Sequence, residues 1–183
     1  MSDVKKIEAC LAAEDWAGAE ALLRKLSRGQ NPSHAVMYQL GRVLARQGKV
    51  GQAIPWLRKA VAAKKDHAPS LAELGQMQLA QGNEEAAIDA LARSVHLRPT
   101  NVETRLTLAR LALKREHWEQ AESLWRTFIE TEHRVEALAA RITICEALGD
   151  EEAAAKYRLR HEEAIAAAAA PPDDAEASGA EKA

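Results

Sequence analysis

Between residues 71 and 99 the chain reads LAELGQMQLAQGNEEAAIDALARSVHLRP. Apolar positions recur there in two runs at helical spacing. Leu71, Leu74, Gln78 and Leu79 fall on one stripe, and Ala87, Ile88, Leu91 and Val95 fall on another. Gly82-Asn83 separates the runs and Pro99 ends the second. Two such stripes can bury each other only if the helices fold back as a hairpin. Gly75 lies inside the first run, where glycine costs about 1 kcal/mol against alanine. That cost predicts close approach of another backbone, with Ala87 as the small facing residue.

The same pattern lies one period of 34 residues upstream and one downstream. Leu40-Gly41, Gly48, Ala53, Leu57 and Ala60 take the places of Leu74-Gly75, Gly82, Ala87, Leu91 and Ser94. Leu108-Ala109, Glu116, Ala121, Trp125 and Phe128 take them again. The full pattern predicts helices over 3–13, 15–28, 33–47, 50–63, 67–81, 84–97, 101–115, 118–131, 134–148 and 151–169. Pro55 falls past the first turn of its helix, where it removes one hydrogen bond and should bend the helix without breaking it. Trp118, Trp125 and Phe128 are the large fillers of the fourth pair. In the last helix the place of Leu91 falls on Arg158 or Leu159, depending on register. Its polar face suits a helix that caps the array against water.

Leu-Gly, Gly-Asn-x-Glu-Ala-Ala, Leu-x-x-Ser and the closing proline together resemble the tetratricopeptide repeat, over about residues 3–165 and most strongly over 34–131. The resemblance implies an all-α solenoid of about five helix-turn-helix repeats wound into a right-handed superhelix. First helices would line a concave groove and second helices the outside. It also implies a non-enzymatic scaffold that binds a peptide or helix of a partner protein. An alternative is an accessory or regulatory repeat domain of an enzyme or envelope-assembly complex whose chemistry is on another chain. The repeat domain is expected over residues 1–170. Residues 171–183, PPDDAEASGAEKA, are acidic, lack apolar anchors and are expected to be a disordered tail.

Charge narrows the partner. The net charge is −2; Asp173, Asp174, Glu176 and Glu181 against Lys182 make the tail −3, so the body is near +1. Nothing there marks a nucleic-acid or anionic-membrane partner. The opening MSDVKKIEACLAAEDW has no apolar core of signal-peptide length, and no apolar run reaches membrane-spanning length. The expected address is the cytoplasm, where Cys10 and Cys145 would stay reduced.

Candidate chemistry is sparse. None of the six histidines has a second histidine or cysteine three or four residues on, so no metal pair shares a helix face. His34 and His67, at repeat junctions, read most simply as surface residues. Glu84-Glu85 and Glu151-Glu152 sit in first helical turns, where acids offset the helix dipole. Trp16 and Trp118 hold a packing position early in second helices. No catalytic residue, cofactor or metal is expected.

By the resemblance, the groove is lined by first-helix residues opposite the Leu-Gly seam. These are Tyr38, Gln39, Arg42 and Arg46 in the second repeat, Glu73 and Gln76 in the third, and Leu106, Arg110 and Lys114 in the fourth. Glu136, Ala139, Ala140 and Thr143 follow in the fifth if the register holds. One subset of the family clamps the C-terminal carboxylate of chaperone tails with lysine, asparagine and arginine. The corresponding places here hold Tyr38, Arg42, Glu73, Glu103 and Thr107, so no such clamp is expected. Arg42 and Arg46, and Arg110 and Lys114, lie four apart on one helix face each. Two readings stand: a solvated face with ordinary charges, or a mildly basic groove that takes an acidic or amphipathic peptide, with Tyr38 and Leu106 as apolar contacts.

Overall fold

A computed structural model describes residues 2–29 and 31–169. The expected tail over 171–183 lies outside the described residues. Ten α-helices follow one another, with no strand among the described residues: α1 (Asp3–Ala12), α2 (Trp16–Ser27), α3 (His34–Arg46), α4 (Val50–Ala63), α5 (Ala68–Ala80), α6 (Glu84–Leu97), α7 (Val102–Lys114), α8 (Trp118–Trp125), α9 (Arg134–Ala147) and α10 (Glu151–Ala169). Short polar side chains start four of these helices. Ser2, Asp15, Ser33 and Asn101 each accept the backbone N–H three residues on.

The hairpin turns repeat one backbone device. Glu14, Gly48, Gly82, Glu116 and Gly149 all have positive φ, between 53° and 81°. After four of these turns the next amide donates to the carbonyl five residues back: Asp15 to Cys10, Lys49 to Leu44, Asn83 to Gln78 and Asp150 to Cys145, at 2.8–2.9 Å. The first four left-handed residues are spaced by 34 and the last by 33. One residue is therefore missing between Glu116 and Gly149.

The described residues pack as two compact units, the first ending at Arg115 and the second beginning at Glu116. In the first, α1 pairs with α2, α3 with α4 and α5 with α6. Each hairpin stacks on the next through α2 on α3, α4 on α5 and α6 on α7, and the first helices α3 and α5 lie side by side. Leu40, Leu44, Leu57, Leu71 and Leu91 are fully buried between them. A β-carbon built on Gly75 would lie 2.6 Å from Leu91 Cγ and 3.2 Å from the Ala87 carbonyl oxygen. One on Gly41 would lie 2.7 Å from Leu57 Cγ. The expected partner Ala87 is there, but it is the leucine one turn later that fills the glycine's space. Pro55 is exposed and α4 runs through it.

Polar links also tie repeats one and two. Glu20 accepts from Arg24 Nε at 2.7 Å, Gln47 Nε2 at 2.9 Å and Lys49 Nζ at 2.7 Å. The Lys49 and Arg24 bonds, against a smaller opposing effect of burial, lower its carboxyl to about 2.

In the second unit, α8 tightens after Trp125 into one 3-10 turn, Arg126–Phe128, instead of continuing to 131. Trp125 and Phe128 are buried with rings 5.8 Å apart, whereas Trp118 is half-buried. The shortened connection shifts α9. Leu138, Arg141 and Cys145 are buried where a strict period from Leu71, Leu74 and Gln78 points to Ala139, Ile142 and Glu146. Arg141 thus takes a core place, with its Nη2 donating to Glu122 at 3.2 Å and its guanidinium 4.6 Å from the Tyr157 ring. On α10 the buried residues are Ala154 and Ala164; both Arg158 and Leu159 are exposed, and Arg158 pairs with Glu146 and Glu151.

Two outcomes follow. Gly75→Ala should destabilise the protein by about 1–3 kcal/mol in a urea titration, although the same change on an open helix face gains about 1 kcal/mol. A more stable Gly75→Ala protein would mean that the seam is wider than the 2.6 Å approach of Leu91 Cγ allows. Glu20, with its carboxyl lowered when folded, contributes stability above about pH 4.5 that is lost as the pH falls towards 2. Urea midpoints at pH 5 and pH 3 should therefore differ less in Glu20→Gln than in the wild type.

Candidate partner-binding groove

In α3 and α5 the seam side is occupied by Leu57 and Leu91, which leaves the other side for the residues below. The period places Tyr38, Ala72 and Leu106 at one level of α3, α5 and α7, and Arg42, Gln76 and Arg110 one turn further on. Tyr38, Arg46, Glu73 and Gln76 meet with Glu103 around a hollow of about 180 Å³. Arg42 Nε lies 4.0 Å from Glu73 Oε1, beyond hydrogen-bond length. Burial raises the Glu73 carboxyl above its ordinary value and the Glu103 charge adds to this, against Arg42 and Arg46. Burial first, and then the Glu73 charge, raises the Tyr38 hydroxyl.

A second hollow of about 330 Å³ lies along α5 and α7, between Leu79, Thr107, Arg110, Leu111 and Lys114. Its walls are mainly apolar. Arg110 and Lys114 stand on its rim as the helical spacing places them. Lys114 is not a free cation, however. Its ammonium donates to Glu84 at the start of α6, and this bond lowers the Glu84 carboxyl. Leu106 is 8% exposed and packs inward, so it offers little surface to a ligand. Gln39 is half-buried beside Tyr38 in sequence. Glu136, Ala139, Ala140 and Thr143 belong to the second unit, where Ala140 is buried and Thr143 exposed.

His67 departs from the surface reading. Its Nδ1 accepts the Ser70 amide at 3.3 Å and lies 2.7 Å from Ser70 Oγ, so the ring caps α5. The ring packs edge-on against Tyr38 at 5.0 Å and His34 at 5.1 Å. Burial first, then the charges of His34, Lys64 and Arg98 against Asp66, lowers its pKa. Nothing in the sequence pattern distinguishes this cap from an ordinary loop residue; histidine is rarely a cap, and its acceptor role depends on the neutral ring. Leu111 and Thr104, both beside the hollows, were likewise not singled out by position.

Elsewhere, a cavity of about 120 Å³ in the second unit touches Glu122, Arg141, Cys145 and Tyr157. Burial raises the Cys145 thiol, which disfavours the reactive thiolate. Both cysteines are free. No group of three or more His, Cys, Asp or Glu side chains among the described residues is arranged to hold a metal ion. No described helix is long and apolar enough to cross a membrane.

Two family profiles match the sequence. One, described as tetratricopeptide repeat, matches residues 5–69. The other, described as anaphase-promoting complex, cyclosome, subunit 3, matches residues 46–127. No curated protein matches the chain. Among solved structures, one of MamA has a TM-score of 0.69 at 22% identity, covering 88% of this chain and 96% of that chain. A structure of MamA AMB-1 has a TM-score of 0.76 at 18% identity, covering 92% and 91%. A tetratricopeptide repeat protein from Parabacteroides merdae has a TM-score of 0.68 at 17% identity, covering 90% and 66%. At these identities the likeness is one of fold.

Neutral His67 is favoured in the folded state, so its contribution to stability is present above about pH 6.5 and is lost as the pH falls below it. His67→Asn keeps a capping acceptor that does not titrate. Between pH 7 and pH 5 the melting temperature should fall less in His67→Asn than in the wild type; equal falls would remove His67 from this role.

Proposed function

The chain belongs to the tetratricopeptide repeat family, and from that premise we propose that the open faces of α3, α5 and α7 hold a segment of a partner protein. The observation that carries the reading is the pair of hollows on these first helices, one ringed by polar groups and one mainly apolar. Large-pocket chemistry is not what these surfaces suit. They are shallow, they bear cations and carboxylates at helical intervals, and they match the way a groove takes an amphipathic helix or peptide. On this reading the protein is a scaffold without catalysis of its own, and the partner segment is acidic or amphipathic. Arg42, Arg46, Arg110 and Lys114 supply the attraction, and Tyr38, Gln39 and Gln76 complete the contact surface. Leu106 contributes only through its edge.

Exposed ion pairs are each worth about 0.2–1 kcal/mol, so affinity should be modest and should fall with added salt. Reversing two charges tests this. With a captured natural partner, Arg42→Glu combined with Arg110→Glu should weaken binding by at least about fivefold and flatten its salt dependence, with the circular-dichroism spectrum unchanged. Unchanged affinity and salt dependence in a folded double variant would move binding off this face.

A further inference from the structure

Arg141 holds a place that packing elsewhere gives to leucine. With the one-residue shift of α9, it stands where Leu40, Leu74 and Leu108 stand in their repeats, and all three are buried. Filling that space does not call for a guanidinium, and a buried ion pair replaced by a well-packed apolar side chain is often neutral or stabilising. Arg141 is nonetheless only 7% exposed. Its Nη2 donates to Glu122 Oε1 at 3.2 Å, and its Cζ lies 4.6 Å from the Tyr157 ring centre. Its Nε and Nη1 are buried and meet no acceptor among the described residues. Arginine does not shed its proton in a protein, so donors left unmet in such a place are costly.

The same side chain lines the cavity of about 120 Å³ in the second unit. Arg141 and Ile144 on its wall are buried, Leu148 and Asp150 are exposed, and Glu122 is half-exposed. Asp150 Oδ1 accepts the Ala153 amide at 3.0 Å, and the carboxylate keeps further lone pairs. The charged groups on the wall are thus one guanidinium and two carboxylates. A bare anion would be repelled by the carboxylates, and a bare cation would leave Nε and Nη1 as they are. The complement is an uncharged group with an acceptor oxygen at its inner end and N–H donors at its outer end. Volume sets its size. One water takes about 30 Å³ in the liquid, so the cavity has room for about four atoms of that size.

We propose that this cavity is a binding site for a small uncharged carboxamide, about the size of acetamide. Its carbonyl oxygen accepts from Arg141, its N–H groups donate to Glu122 and Asp150, and its carbon end lies against Ile144 and Leu148. Nε and Nη1 have almost no surface of their own, so the half-buried Tyr157 ring tilts as the oxygen enters. The site is built from residues of the second unit alone and stands or falls apart from the groove on α3, α5 and α7.

The probe is acetamide, titrated into the full nitrogen-15-labelled chain. Two signals are followed: the Nε–H resonance of Arg141, assigned by its loss in Arg141→Leu, and the backbone amides of α9 and α10. Acetamide should move both with one midpoint at about 1–10 mM, as expected for so small a ligand. Acetate and methylammonium, similar in size but charged, should bind at least about tenfold more weakly. Acetone, which keeps the oxygen and lacks the N–H groups, should bind about fivefold more weakly. In Glu122→Ala, acetate should gain on acetamide by about tenfold, because one opposing carboxylate is gone. Arg141→Leu should fold, melt near the wild type and lose the acetamide response of α9 and α10. Binding that survives Arg141→Leu overturns the proposal. Unmoved resonances at about 100 mM acetamide, tenfold above the weaker midpoint, also overturn it and leave the cavity to water. Equal responses to acetamide, acetone and acetate would mean an adventitious additive only and overturn it as well. The ligand series needs only the wild-type chain, so its ranking decides the proposal even if Arg141→Leu does not fold.

Discussion

Leu91 lies where a β-carbon on Gly75 would have to be, and Leu57 does the same to Gly41. This interlock sets the distance between the two helices of a hairpin. Densely packed interiors do not absorb an added carbon without moving something, so the hairpin has one spacing. Because the leucine enters from one side, that side of the first helix is spent on packing. The opposite side is left to water and to whatever binds there. The groove is thus a by-product of the seam.

The turns carry the same economy into the third dimension. A left-handed residue reverses the chain within a few residues and lets the next amide satisfy a carbonyl at the end of the first helix. Glycine does this without strain at positions 48, 82 and 149; Glu14 and Glu116 do it at a steric cost. The packing that follows is strong enough in those repeats to hold a glutamate in a conformation it would otherwise avoid.

Residue spacing made the helices and turns legible, because a hairpin of fixed size writes a fixed period into the chain. Even the shortened connection before α9 is visible in it: Gly149 follows Gly82 by 67 residues, one fewer than two full periods. The groove was legible only in outline. Position on a helix shows which way a side chain starts, not where its tip ends. Lys114 leans to Glu84 in the adjoining second helix, and Leu106 turns inward. His67 acts through a ring nitrogen that only local backbone geometry reveals as a cap. Arg141 in a core place was hidden for another reason. Its burial depends on Glu122 and Tyr157, which are 19 and 16 residues away in the chain and follow no repeat pattern.

Glu73 shows what the packing of the scaffold tolerates on the open face. A carboxylate held half-buried, 4.0 Å from its nearest cation and close to a second carboxylate, works against folding. An alternating stack of leucine and alanine supplies the excess packing energy that tolerates it. The rigid seam therefore does more than shape the open face: it holds a carboxylate half-buried there, at a cost the core offsets.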